Sequence, residues 1–142
     1  MTTALEFFTG TPNTEGLTPE WVLNASDAEL ERRHDWVQWA FPLDTPSAFN
    51  WDAPTVTPEV MVHLNPMQEA NLLCMAERFH RFLAETTHWH KTNDHNHLRI
   101  TRVMRCLMMA GHPAVAKRFL ELAKSSATPS TSTLMFWEDA VK

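Results

Sequence analysis

The segment from His95 to Arg105 places Arg99, Arg102 and Arg105 at three-residue intervals in a chain whose formal net charge is −5. On a helix each of these side chains is rotated by about 60° from the one before it. Guanidinium forks match the geometry of carboxylates and phosphates, so such a row suits an anionic group. His95 and Asn96 stand at the start of the segment, where the free amides of a helix N-terminus add to the attraction. The competing reading is internal bracing, with Arg99 and Arg102 paired to acids such as Asp35, because arginines partly buried in a core are usually paired.

A second constellation is His34-Asp35-Trp36-Val37-Gln38-Trp39. Asp35 stands three residues before Gln38 and four before Trp39, so a helix brings a carboxylate, an amide and an indole N–H onto one face. The alternative is that these tryptophans are core and the polar groups cap neighbouring elements. In the loop that follows, Phe49, Asn50 and Trp51 lie among prolines, and aromatics so placed plug a gap in the core or line a pocket.

Eight histidines raise the question of a metal. The dense pairs are His88/His90 and His95/His97, but residues two apart on a helix point about 200° apart. A metal would need a loop conformation, or one histidine from each pair with a carboxylate. No His-Glu-x-x-His motif occurs, so these four are weak ligand candidates, and no metal or other cofactor is expected. His95-Asn96-His97 spells the name of a nuclease family whose ββα unit needs strands and further ligands that this chain lacks. A serine elbow and a glycine-rich phosphate loop are also missing. If the chain is an enzyme, its general base or metal ligand comes from His34, His88, His90, His95 or His97. The balance leans away from catalysis.

The totals set bounds. A length of 142 residues fits one domain, and 44% hydrophobic residues suffice for a core. Twelve Lys and Arg against 17 Asp and Glu argue against bulk nucleic-acid binding. The charge is unevenly spread: residues 1–60 hold ten acids and two bases, whereas residues 95–124 hold six bases and one acid. Either the halves neutralise each other or the basic half forms an anion-binding concavity. Cys74 and Cys106 sit in apolar helical patterns and read as buried, reduced thiols. The start of the chain lacks a signal-peptide pattern and no apolar run reaches the length of a membrane span, so a soluble, cytoplasmic protein is expected. Six tryptophans and eight methionines could also form an exposed apolar patch, the mark of an interaction module.

Almost every periodic segment reads as helix. Ser26-Asp27-Ala28-Glu29 is a capping-box pattern that opens a helix running to Pro42. Thr18-Pro19, Thr57-Pro58 and Asn65-Pro66 each pair a cap with proline at the first helical position. The last of these opens the longest helix, about 66–86, on a stripe of Leu72, Met75, Ala76, Phe79, Phe82 and Leu83. The arginine helix spans about 95–110 and stops at Gly111. Pro113 starts another helix, and Leu134, Trp137 and Val141 mark a last short one. The expectation is an all-α domain over residues 1–142 with six or seven helices, irregular at 1–17 and 125–133.

The two polar segments, in this order, resemble the conserved N-terminal domain of the opioid growth factor receptor family. The matching pieces are His34 to Leu43, then Asn50-Trp51 with Pro54, then Trp89 and His95 to Arg105; Phe7-Phe8 and Phe136 fit loosely. The resemblance covers most of the chain. It implies a helical, non-enzymatic domain; the vertebrate receptor is described as binding the peptide enkephalin and restraining proliferation from the nuclear region. This chain has neither the repeat-bearing C-terminal region nor a basic import run, and the stretch between Glu85 and His95 is short. It looks like a compact, stand-alone bacterial or phage member, so only the fold and the polar positions are carried over. The resulting expectation is a non-catalytic module that holds an anionic small molecule, peptide or nucleotide-like signal. Its cleft is expected to be lined by Asp35, Gln38, Trp39, Asn50, Trp51, Trp89, His95, Asn96, Arg99, Arg102 and Arg105.

Overall fold

The computed structural model describes residues 2–48 and 50–142; Phe49, one of the loop aromatics singled out above, lies outside them. Among the described residues there are nine α-helices and a lone bridge between Leu43 and Thr55, so the architecture is all-α. The helices are α1 (Ala4–Thr9), α2 (Pro19–Asn24), α3 (Asp27–Arg32), α4 (Trp36–Ala40), α5 (Pro58–Val62), α6 (Pro66–Glu85), α7 (His95–Met109), α8 (Pro113–Ser126) and α9 (Thr131–Ala140). None of them is long and apolar enough to cross a membrane.

Local chemistry starts most of these helices. Thr18, Thr57 and Asn65 each accept an amide of the first turn through the side chain, with proline following. Ser26 and Glu29 form the expected reciprocal capping box. Gly111 takes φ 83°, a left-handed conformation that costs glycine little, and α7 stops just before it.

Three expectations are corrected. Residues 1–17 are not wholly irregular, because Thr3 and Glu6 form a capping box that starts α1. The helix expected from 26 to 41 is two helices, broken at residues 33–35. These two changes give nine helices where six or seven were expected. Cys74 is exposed, on the outer face of α6, whereas Cys106 is buried as expected.

The break between α3 and α4 has a specific cause. The carbonyl of Leu30 accepts from the indole Nε1 of Trp36 at 2.9 Å and from Arg99 Nη1 at 3.0 Å. Arg33 O accepts from Arg99 Nη2 at 3.0 Å. Side chains from outside the helix thus satisfy carbonyls that would otherwise continue it. The core runs through the middle of the molecule. Helices α1 and α2 pack on α6, while α7 packs on α5, α8 and α9. Phe7, Phe8, Trp36, Phe79, Phe82, Trp89, Phe119 and Trp137 fill the space between them.

Candidate binding cleft between α4 and α7

The exposed side of α7 faces α4 and the loop after it across a cleft of about 440 Å³. Gln38 and Val37 of α4, Leu43, and the loop 45–48 form one wall. Leu98, Thr101, Arg102 and Arg105 of α7 form the other, with His34 and His95 at one end. This volume falls in the lower part of the range of about 300–1,000 Å³ typical of small-molecule sites.

The three arginines of the row have three different environments. Arg99 is 6% exposed, and its guanidinium is taken up by the carbonyls of Leu30 and Arg33 and by Asn96 Oδ1 at 3.3 Å. It also lies over the Trp36 ring, 5.6 Å from the centroid. Burial lowers its pKa, while the nearby charges of Glu31 and Asp94 oppose that shift. Arg102 is half-buried. Its Nε donates to Phe41 O at 2.9 Å, and its two Nη atoms meet no hydrogen-bond partner among the described residues. Burial pushes its pKa down to about 10, and the neighbouring Arg105 charge acts in the same direction. The neighbouring Cys106 supplies no compensating charge, because burial pushes its thiol pKa up to about 12 and keeps it protonated. Arg105 is exposed, with Asp44 Oδ1 a loose 3.9 Å away.

Among the described residues, neither Arg99 nor Arg102 pairs directly with an acid. Asp35, the partner considered for them, is held by Arg33 at 2.6 Å. The bracing expected of these arginines is real for Arg99, but it is made to backbone carbonyls.

Behind the cleft lies a closed polar knot at the start of α7. Glu31 accepts from Asn96 Nδ2 at 3.0 Å, meets His88 Nε2 at 2.9 Å and meets His95 Nε2 at 2.6 Å. Asp94 caps α7 by accepting the Asn96 amide at 2.9 Å. Burial raises the pKa of Glu31, but hydrogen bonds from Asn96 and His88 and the charges of His95 and His88 outweigh it, so the net shift is downward. Asp94 is likewise lowered, its burial outweighed by the backbone and side-chain N–H groups of Asn96.

Of the weak metal candidates, His88 and His95 meet at Glu31 but bond it directly, and His90 and His97 lie apart from them. His88 and His95 both spend Nε2 on Glu31, His97 bonds Trp89 O at 2.8 Å, and His90 packs edge-on against Trp89. Among the described residues no group of three His, Cys, Asp or Glu side chains could hold a metal ion.

The expected site residues divide into groups. Gln38, His95, Arg99, Arg102 and Arg105 line the α4–α7 cleft. Asp35, Trp39 and Asn50 line a neighbouring groove of about 630 Å³ with Glu15, Asp52 and Arg33. Three carboxylates and one guanidinium, itself bound to Asp35, make that groove unsuited to an anion. The indoles do not form the expected aromatic lining. Trp89 is wholly buried and bonds Leu83 O and Thr86 O, Trp39 is core against Phe7, and Trp51 is 96% exposed. Asn96 is buried in the knot. Sequence reasoning missed the apolar walls, Val37, Leu43 and Leu98. For Leu98 a signal existed, since it stands outside the Ile100, Val103, Met104 and Leu107 stripe of α7.

No family model, curated protein or solved structure matches this chain.

Proposed function

We propose that this chain is a non-catalytic binding module that holds an anionic small molecule or peptide in the α4–α7 cleft. The observation that carries the reading is Arg102: a half-buried guanidinium whose Nη atoms are unclaimed, in a concavity of small-molecule size. Removing a charge from water is costly unless an opposite charge meets it, so an anion in the cleft stabilises what the free protein leaves uncompensated. The resemblance to the opioid growth factor receptor domain is retained as part of the proposal. It is supported by the fact that its two long segments, 34–43 and 95–105, supply most of the two walls of this cleft. A reducing, cytoplasmic setting is proposed on the two free cysteines.

Calorimetric titration with acetate, inorganic phosphate, a mononucleotide and short peptides with free carboxyl termini tests the reading. At least one should bind at one per chain and lose its affinity in Arg102→Ala. Silence across the panel, or binding indifferent to Arg102→Ala, contradicts it.

A further inference from the structure

Resting on the anion-binding reading, we infer that the ligand of the α4–α7 cleft carries one negative charge on an apolar body: an acyl or aryl monocarboxylate. Charge and wall chemistry around Arg102 each restrict the class.

The number of unanswered positive charges is one. Arg99 donates to two carbonyls and an amide oxygen, with the charges of Glu31 and Asp94 near enough to oppose the lowering of its pKa by burial. Arg105 has Asp44 beside it and stands in solvent. Among the described residues only Arg102 meets the cleft with both Nη atoms free and partly buried, and a carboxylate accepts both prongs of such a fork. A polyphosphate would bring two or more charges to a site offering one partly desolvated cation, leaving the surplus unpaired.

The walls favour an apolar body. Leu98, Pro46 and Ala48 line the cleft with Arg102, and the nearly buried Val37 and Leu43 lie at its floor. Of the polar groups nearby, Thr101 and Gln38 are committed, which among the described residues leaves His34 and Thr45 as the neutral side chains open to a ligand. Thr101 Oγ1 donates to His97 O, and the Gln38 amide nitrogen donates to His34 O at 2.9 Å and Asp35 O at 3.1 Å. A sugar, which needs a partner for each hydroxyl, would find too few there. The space also continues along α7. Thr101 and Arg105 border a second groove of about 420 Å³ lined by Met109, Ala140 and Phe136, the last 62% exposed, together with the carboxylates of Asp44 and Asp139, which disfavour a second anionic group there. An elongated apolar body can therefore extend from Arg102 past Arg105 toward Phe136. The same chemistry could be presented by the C-terminal carboxylate of an apolar peptide, so the test includes one.

The experiment is calorimetric titration of the whole chain with octanoate, octanamide, acetate, suberate and an acetylated Leu-Val-Leu tripeptide with a free carboxyl terminus. Octanoate should bind one per chain, with octanamide and acetate each at least about 10-fold weaker, as expected for a charge-assisted bond and for buried methylenes. Arg102→Gln should weaken octanoate by a similar factor. So should Leu98→Glu, and because Leu98 is 60% exposed that variant leaves the core untouched. Tighter binding of the tripeptide supports the recognised chemistry and identifies a peptide end as its source. Acetate binding as well as octanoate overturns the apolar body and leaves the anion reading standing. Suberate binding more tightly than octanoate overturns the single charge. Octanamide matching octanoate overturns both the inference and the anion reading. If none of the five binds, the inference fails, and the phosphate and mononucleotide titrations decide the anion reading alone.

Discussion

Arg99 and Arg102 lie less than one turn apart on the same helix, yet one belongs to the scaffold and the other to the cleft. Arg99 reaches inward, closes the C-terminal end of α3 and commits both of its Nη atoms to acceptors inside the protein. Arg102 reaches sideways, makes one bond to Phe41 O and keeps the rest of its fork open. The 60° rotation between them separates a structural contact from a recognition contact. A row of like residues is thus not one site. What each does depends on which neighbouring carbonyls its helix face meets.

The difference predicts a graded set of effects. Arg99→Ala should lower the unfolding free energy by about 3 kcal/mol, because it strands the Arg33 carbonyl and Asn96 Oδ1 and empties space under Trp36. Urea denaturation reads this directly, and a loss as small as that of Arg102→Ala would erase the contrast. Glu31→Ala comes next, at about 2 kcal/mol, since Asn96 Nδ2 loses one of its two carboxylate acceptors and the two imidazoles lose their shared acceptor.

That contribution also depends on pH. The folded-state pKa of Glu31 lies below its ordinary 4.5, so its stabilisation is complete above that value. It is lost as pH falls through the lower, folded value, where the carboxylate takes up a proton and releases its donors. The acid limb of a stability–pH profile should therefore be shallower in Glu31→Ala than in the natural chain. Identical limbs would remove Glu31 from the account.

Arg102→Ala should cost no more than about 1 kcal/mol, the value of its single bond to Phe41, while reducing anion binding. At the foot of the scale, Trp51→Ala should change stability by less than about 0.5 kcal/mol because the indole stands in solvent. A large Trp51 effect on ligand affinity would show that the loop folds over the cleft when it is occupied.

Local chemistry made much of the fold legible. Proline after a hydroxyl or amide cap announces a helix start wherever the chain goes next, and Thr18, Thr57 and Asn65 bear this out. Thr3 and Glu6 carry a different local signal for α1, a capping box, in a segment too short to show periodicity. The α3–α4 break was not legible, because it depends on Arg99, 69 positions from Leu30 in sequence. The site was legible as to residue type but not as to direction. Arginine spacing identified the helix, yet only packing decides which guanidinium faces the core. The tryptophans misled for the same reason: Trp89 and Trp39 satisfy the core, and Trp51 reaches neither groove.

The most direct measurement is the exchange of arginine Nη protons with water, followed by nitrogen-detected NMR on the free chain and on the chain with octanoate. Arg99 should show slow, resolved Nη signals in both samples. Arg102 should exchange rapidly when free and become protected when the carboxylate is added. Protection of Arg102 equal to that of Arg99 in the free chain, or no response of Arg102 to octanoate, would contradict the division of labour between the two arginines.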